Sequence, residues 1–216
     1  MKVHSLQVAL RGRGLRSFLS YSKDNSKILD VGCGNRSSIF IKSIIPSADV
    51  FGIDIGDYNQ SEESKMLYKR YITTLPENFD STISEINEDF DVVISNHNIE
   101  HCNNPNATFS AMINRLAVGG RLFIATPSTR SVNFPSREGT LNFYDDSTHK
   151  KPIDLLELFQ SESHRIECTY YSQSYRPFFW TMVGWVNEYF SKKKKKTMLG
   201  TWDYFGFEQI IWIKKL

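Results

Sequence analysis

Short apolar runs alternate with stretches of helical spacing along the first two thirds of the chain. KILDV (27–31), ADVFGIDI (48–55), the weaker KRYITTL (69–75), DFDVVIS (89–95) and RLFIATP (121–127) read as strands. DFDVVIS is a continuous, β-branched run of the kind buried on both faces of a parallel sheet. Between these runs the spacing predicts helices. One extends from Ser37 to about Ile44 and stops before Pro46. A second, from Asn78 to Asn87, puts Phe79, Ile83 and Ile86 on one face. A third starts at Pro105, carries Phe109, Met112, Ile113 and Leu116, and should end at Gly119 and Gly120. Strands alternating with helices predict βαβ units, hence an α/β fold with a doubly wound, mostly parallel sheet and helices on both faces. After Pro127 the texture changes. Residues 128–151 are polar, 152–160 form a short amphipathic helix and 164–172 return to strand character. An aromatic helix (177–190) then leads through lysines to GFEQIIWIKK (206–215), a final strand. Residues 128–151 and 173–205 are expected to be insertions beside the sheet, on the substrate side, where binding specificity resides.

Length and composition bound this picture. At 216 residues, 40% hydrophobic and 23% charged, the chain can build one substantial core, so a single domain over 1–216 is expected, with a basic segment at 1–25. A net charge of +2, from 26 basic and 24 acidic residues, gives no broad positive field, and no nucleic-acid partner is expected. Cys33, Cys102 and Cys168 are widely spaced and form no C-x-x-C pair, which points to a reducing cytoplasm rather than to disulfides or a zinc knot. No secretory leader pattern opens the chain, and its most apolar stretch, about 14 residues, falls short of the roughly 20 needed to span a bilayer.

In open α/β sheets ligands bind beyond the carboxyl ends of the strands, which directs attention to the loop after the first strand, LDVGCGNRSS. Gly32 and Gly34 on either side of Cys33 allow positive φ and a close approach of backbone to ligand. Asp54, 20 residues after Gly34 at the end of the second strand, is positioned to accept hydrogen bonds from two ribose hydroxyls. Together these features specify a nucleoside. A nicotinamide cofactor would call for G-x-G-x-x-G, whose third glycine is Ser37 here.

ILDVGCGN, FGIDI, FDVVISNHNIEHCNNP and GGRLFIATPS resemble the successive motifs of the class I, Rossmann-like S-adenosylmethionine-dependent methyltransferases, in their small-molecule or glycan branch. The resemblance covers roughly residues 25–130. It implies a seven-stranded sheet whose last strand, GFEQIIWIKK, runs antiparallel. It also implies S-adenosylmethionine as cofactor, with Gly32, Cys33 and Gly34 against its methionine part and Asp30 supporting its amino group. Asp54 would hold the ribose, Ile55 would pack on the adenine, and Asn96 and His97 would border the methionine end. Relatives often place an acid after the third strand; this chain has Thr73, Thr74 and Leu75 there.

HNIEH (97–101) matches the H-x-x-E-H pattern of a group of zinc peptidases, which needs His97 and His101 on one helical face. Following a buried strand and running into Cys102, Asn103, Asn104 and Pro105, the segment is expected to form a single irregular turn, so the hydrolase reading is remote. In relatives this loop lies beneath the sulfonium, where Glu100 and His101 match a common Glu-His pair. That pair either holds the loop to the sheet or serves chemistry. His101 is one candidate general base. His149, in YDDSTHKKP, is another, because the sequence resembles a D-x-T-H-x-x-P segment that folds over the active site. His97, Glu100 and His101 are also candidates for a divalent ion, by resemblance to quinone-biosynthesis O-methyltransferases with a Glu-x-x-Glu-His loop. The function implied is methyl transfer to oxygen, ahead of nitrogen, in a small metabolite or a sugar. A binding module without turnover is the competing class.

Phe178, Phe179, Trp180, Trp185, Tyr189 and Phe190 beside Lys192–Lys196 admit two readings. Residues 177–196 are an interfacial anchor for a membrane surface, or the aromatics pack beneath a substrate lid while the lysines form a solvated loop; the second is the simpler.

Overall fold

The structure, a computed structural model, describes residues 14–57, 60–173 and 178–216. Seven strands form one sheet: β1 (Lys27–Val31), β2 (Asp49–Asp54), β3 (Tyr68–Thr73), β4 (Phe90–Asn96), β5 (Leu116–Pro127), β6 (Ile166–Ser172) and β7 (Glu208–Lys215). Their order is β3-β2-β1-β4-β5-β7-β6, with β7 antiparallel to both its neighbours and the β3-to-β5 pairings parallel. The order reverses between β1 and β4, and the crevice beyond their carboxyl ends is where such a sheet receives a ligand.

The near-continuous apolar strands are explained by cover on both sides. Alternate residues of one strand enter different cores: Leu29, Val31 and Val93 face one way, Ile28, Val92 and Ile94 the other. The first face is covered by α4 (Phe79–Glu85), α5 (Pro105–Asn114) and α6 (Leu155–Gln160), which insert Phe79, Ile83, Phe109, Met112 and Leu158. The second is covered by α1 (Leu15–Leu19) and α2 (Ser37–Lys42), with Phe18 set edge-on to Trp212 of β7. A further short helix, α3 (Glu62–Met66), precedes β3 and is capped by the Ser61 hydroxyl.

Two boundaries differ from expectation. Helix α5 stops at Asn114 rather than at the glycines, because Leu116 is captured into register with Phe90 of β4. The Gly119–Gly120 pair lies instead in the irregular stretch that precedes the resumed pairing of Arg121 with Val92. After the described end of β6, helix α7 (Phe178–Lys194) runs into the lysines rather than ending before them. Lysine is a good helix former and its charge suits a helix C-terminus. The short helix α8 (Thr201–Phe205), bracketed by left-handed Gly200 and Gly206, was not anticipated. Lys2, Arg11 and Arg13 of the basic segment, and Pro177, lie outside the described residues. Among the described residues no helix is long and apolar enough to cross a membrane.

Candidate functional site

The turn after β1 is built around its backbone. Gly32 has φ +72° and Gly34 φ +53°, and a side chain on Gly32 would collide with Asn98. The Gly32 and Cys33 amides donate to the Ile53 carbonyl of β2 (2.8 and 3.2 Å), which ties the turn to the neighbouring strand. Asp54 finishes the job: its Oδ2 accepts from the Gly34 amide (2.6 Å) and its Oδ1 from the Ile55 amide (2.7 Å). The carboxylate is thereby aimed by two amides while keeping lone pairs for a ligand. Gln60 braces the turn from outside by donating to the Gly34 carbonyl.

Two hollows share this turn and His97. One, about 450 Å³, is lined by Gly32, Gly34, Asp54, Ile55, Pro76, Phe79, Asn98, His101, Thr148 and Lys150 among others. The other, about 600 Å³, runs past Asp30, Arg36, Ser37 and Phe40 to Asn96, Trp202 and Glu208. Every residue expected to touch the cofactor therefore lines one hollow or the other. Asp30 is buried and accepts from the Ser37 hydroxyl (2.5 Å). Burial, helped by the nearby Asp54 charge and opposed by the Ser37 hydrogen bond, pushes its carboxyl up to about 7.

HNIEH forms a bend and a 3₁₀ turn (Ile99–His101), and its two histidines bond to different partners, His97 to Glu208 and His101 to Thr148. His97, at φ +53°, lies between two buried carboxylates, with Nε2 2.7 Å from Glu208 Oε1 and Nδ1 3.3 Å from Glu100 Oε1. Burial disfavours its charge, but the two carboxylates outweigh that and push the imidazole up to about 10. His97 is thus an imidazolium at neutral pH, locked by ion pairs and not placed with His101 for a zinc site. Glu208 Oε2 is buried and has no hydrogen-bond partner among the described residues, and Glu208 lines the larger hollow together with Trp202.

His101 belongs to a different chain of bonds. The Thr148 hydroxyl donates to Asp146 Oδ1 (2.6 Å), so its oxygen accepts from His101 Nδ1 (2.9 Å). That assignment puts the proton of a neutral His101 on Nδ1 and the lone pair on Nε2. Partial burial works against ionisation of Asp146, but the Thr148 hydroxyl and amide and the two histidines hold it below the usual carboxylate range. His149 stacks on Phe143 and donates Nδ1–H to the Phe143 carbonyl (2.5 Å), with its ring 4.8 Å from that of His101. Donor atoms of Glu100, His101 and His149 lie within 4.8 Å of one another; His97 is not in that group. Glu100 Oε2 already accepts from Thr126 (3.0 Å).

A family model described as a methyltransferase domain matches residues 4–211. The chain belongs to that family. With its 3-2-1-4-5-7-6 sheet it is a class I, S-adenosylmethionine-dependent methyltransferase. Solved structures share the fold at low identity. The plantazolicin methyltransferase BamL, in complex with a triazolic desmethylPZN analogue and SAH, is 15% identical, with a TM-score of 0.62 over 99% of this chain and 83% of that one. A TehB-like SAM-dependent methyltransferase from Corynebacterium glutamicum is 14% identical, with a TM-score of 0.56 over 100% and 96%. The N-methyltransferase NodS from Bradyrhizobium japonicum is 13% identical, with a TM-score of 0.53 over 99% and 94%. No curated protein sequence matches the chain significantly.

The residues present suit this methyltransferase's cofactor. The position a Gly34 Cβ would take has nothing within 4 Å, so the turn opens onto clear space, and three acids (Asp30, Asp54, Glu208) line the hollows that would receive a ligand bearing a sulfonium and an ammonium against a single carboxylate. Several lining residues escaped sequence reasoning. Glu208 carried a visible signal, an acid opening an otherwise apolar strand. Thr148 lay within the D-x-T-H-x-x-P resemblance, though only His149 was singled out there, and Trp202 and Phe40 carried no signal that spacing reveals.

Proposed function

We propose that this methyltransferase transfers a methyl group to an oxygen of a small acceptor, a hydroxylated metabolite or a sugar, with His101 as the base. The observation that carries the reading is the Asp146–Thr148–His101 chain opening on the hollow that also holds Gly32, Gly34 and Asp54. In this proposal Asp54 takes the ribose hydroxyls, and Ile55, with Pro76 and Phe79 nearby, supplies the apolar bed for the adenine. Gly32, Cys33 and Gly34 present backbone to the methionine part. Asp30 and Asn96 line the hollow at its amino end, and His97 borders it.

The bound cofactor supplies an electrophilic methyl on a sulfonium. The protein's part is alignment and proton removal. Thr148 orients the imidazole through Nδ1, leaving Nε2 to accept the acceptor's hydroxyl proton as the oxygen–carbon bond forms. Asp146 steadies the imidazolium that results. His149, tied to Phe143, acts as a wall that keeps the His101 ring in place.

A nitrogen acceptor is the second reading, favoured by an acid, Glu208, and an aromatic ring, Trp202, lining the same hollow, a combination that suits an ammonium. NodS, a neighbour of the same fold, is an N-methyltransferase. The test is incubation with methyl-deuterated S-adenosylmethionine and separate pools of sugar, phenol and amine acceptors, read by mass spectrometry. Label on oxygen is expected; label on nitrogen alone would replace this reading with the second.

A further inference from the structure

Helix α7 turns its apolar side outward. Phe178, Met182, Trp185 and Tyr189, spaced four, three and four residues apart, make one stripe, and Phe179 and Val186 flank it. Phe178, Phe179, Trp185 and Tyr189 are each 65–76% exposed. This overturns the expectation that the aromatics pack beneath a lid. Isolated surface apolar residues need no explanation, but a continuous aromatic stripe does.

The helix cannot roll over to bury that stripe. Gly184 meets Gly200 backbone to backbone, so closely that a Cβ on Gly184 would overlap the Gly200 carbonyl. On the same inner side, Glu188 takes both terminal nitrogens of Arg137 (2.6 Å each), and Arg137 also reaches the Ser191 hydroxyl (2.7 Å). Asn187 donates to the Leu199 carbonyl (2.8 Å). Glu188 is the sole acid of α7, and it faces inward against Arg137. The outward side therefore carries no negative charge, and it ends in Lys192–Lys196. Lys196 pairs with Glu138, whereas Lys192 to Lys195 make no salt bridge among the described residues.

We infer that α7 docks this enzyme on an anionic lipid surface, with the aromatic stripe in the headgroup region and the lysines against lipid phosphates and carboxylates. Charge complementarity selects this occupant. A second copy of the chain, packed stripe to stripe, would offer these lysines no anionic partner, because the outward side of α7 carries no acid. At 17 residues with an exposed lysine end, the helix suits lying in the interface rather than crossing it. Each lysine near such a surface strengthens binding about fivefold, and salt weakens it.

The test is cosedimentation with phosphatidylcholine vesicles and with vesicles containing phosphatidylserine. Wild type is expected to bind the anionic vesicles at least tenfold more tightly and to release in high salt. K192E/K193E should lose tenfold or more, and W185E/Y189E should abolish binding. Because both variants alter side chains that stand clear of the body, the SAH affinity of each, measured by calorimetry, should match wild type and report an intact fold. No partition of wild type into millimolar anionic lipid would overturn the proposal. So would a lipid-free dimer that W185E disperses, which would make the stripe a self-interface.

Discussion

His97 shows how far a side chain can be moved from its ordinary chemistry by two neighbours. Squeezed between Glu100 and Glu208, it holds its proton up to about pH 10. Its pKa is raised above the unfolded value near 6.5, so the stability it contributes is complete below pH 6.5 and is lost as pH rises through 10. We predict that wild-type thermal stability declines from pH 7 to 10, and that His97→Gln removes most of that slope. His97→Ala, which leaves two facing buried carboxylates, should cost about 3–5 kcal/mol in denaturant unfolding. Asp30 acts in the same direction at lower pH. Its carboxyl keeps a proton between its usual 3.8 and about 7 in the native state, so its contribution to stability is greatest below 3.8 and is lost as pH rises to 7. A cationic amino group bound beside it favours the carboxylate. SAH affinity measured by calorimetry should therefore rise by up to about tenfold per pH unit below 7 and level off above, and Asp30→Asn should flatten that rise. A flat wild-type profile would remove Asp30 from the amino-group role.

At the scale of elements, sequence legibility followed how much a segment's period depends on its own neighbours. β1 matched KILDV residue for residue, and β4 matched DFDVVIS within one, because strands buried on both faces leave few ways to satisfy their pattern. The end of α5 was misjudged because strand pairing to β4, a distant contact, decides where Leu116 goes. The carboxylate at Asp54 was legible from its distance to the glycine turn. Glu208 stood out as an acid opening an apolar strand, but its place in the hollow, like that of Trp202, was not legible, since α8 and β7 enter it only through the tertiary fold. The same holds for α7: its aromatic spacing was plain, but which side faces out is decided by Gly184 against Gly200. Gly184→Ala tests that contact. Helix propensity alone would gain about 1 kcal/mol, but overpacking against the Gly200 backbone costs about 1–3 kcal/mol. We expect a net loss of melting temperature and faster proteolysis at the lysine run; a rise in melting temperature would mean that the two helices can part without cost.

For the molecule as a whole, one crevice at the β1–β4 reversal brings together a glycine turn, the acid of β2, and the His101 imidazole, held by Thr148 from the segment after β5. If His101 works as a base through Nε2, a divalent ion is not required for it to do so. Turnover after exhaustive treatment with EDTA should then equal that of the untreated enzyme, and a loss restored by Mg or Zn would move Glu100, His101 and His149 into a metal-holding role. The most direct measurement compares His101→Gln with wild type in two readouts on the same preparation: SAH affinity by calorimetry and single-turnover methyl transfer to the identified acceptor. The account predicts unchanged affinity with transfer slowed about 10²–10⁴-fold. Transfer at the wild-type rate in His101→Gln would contradict it.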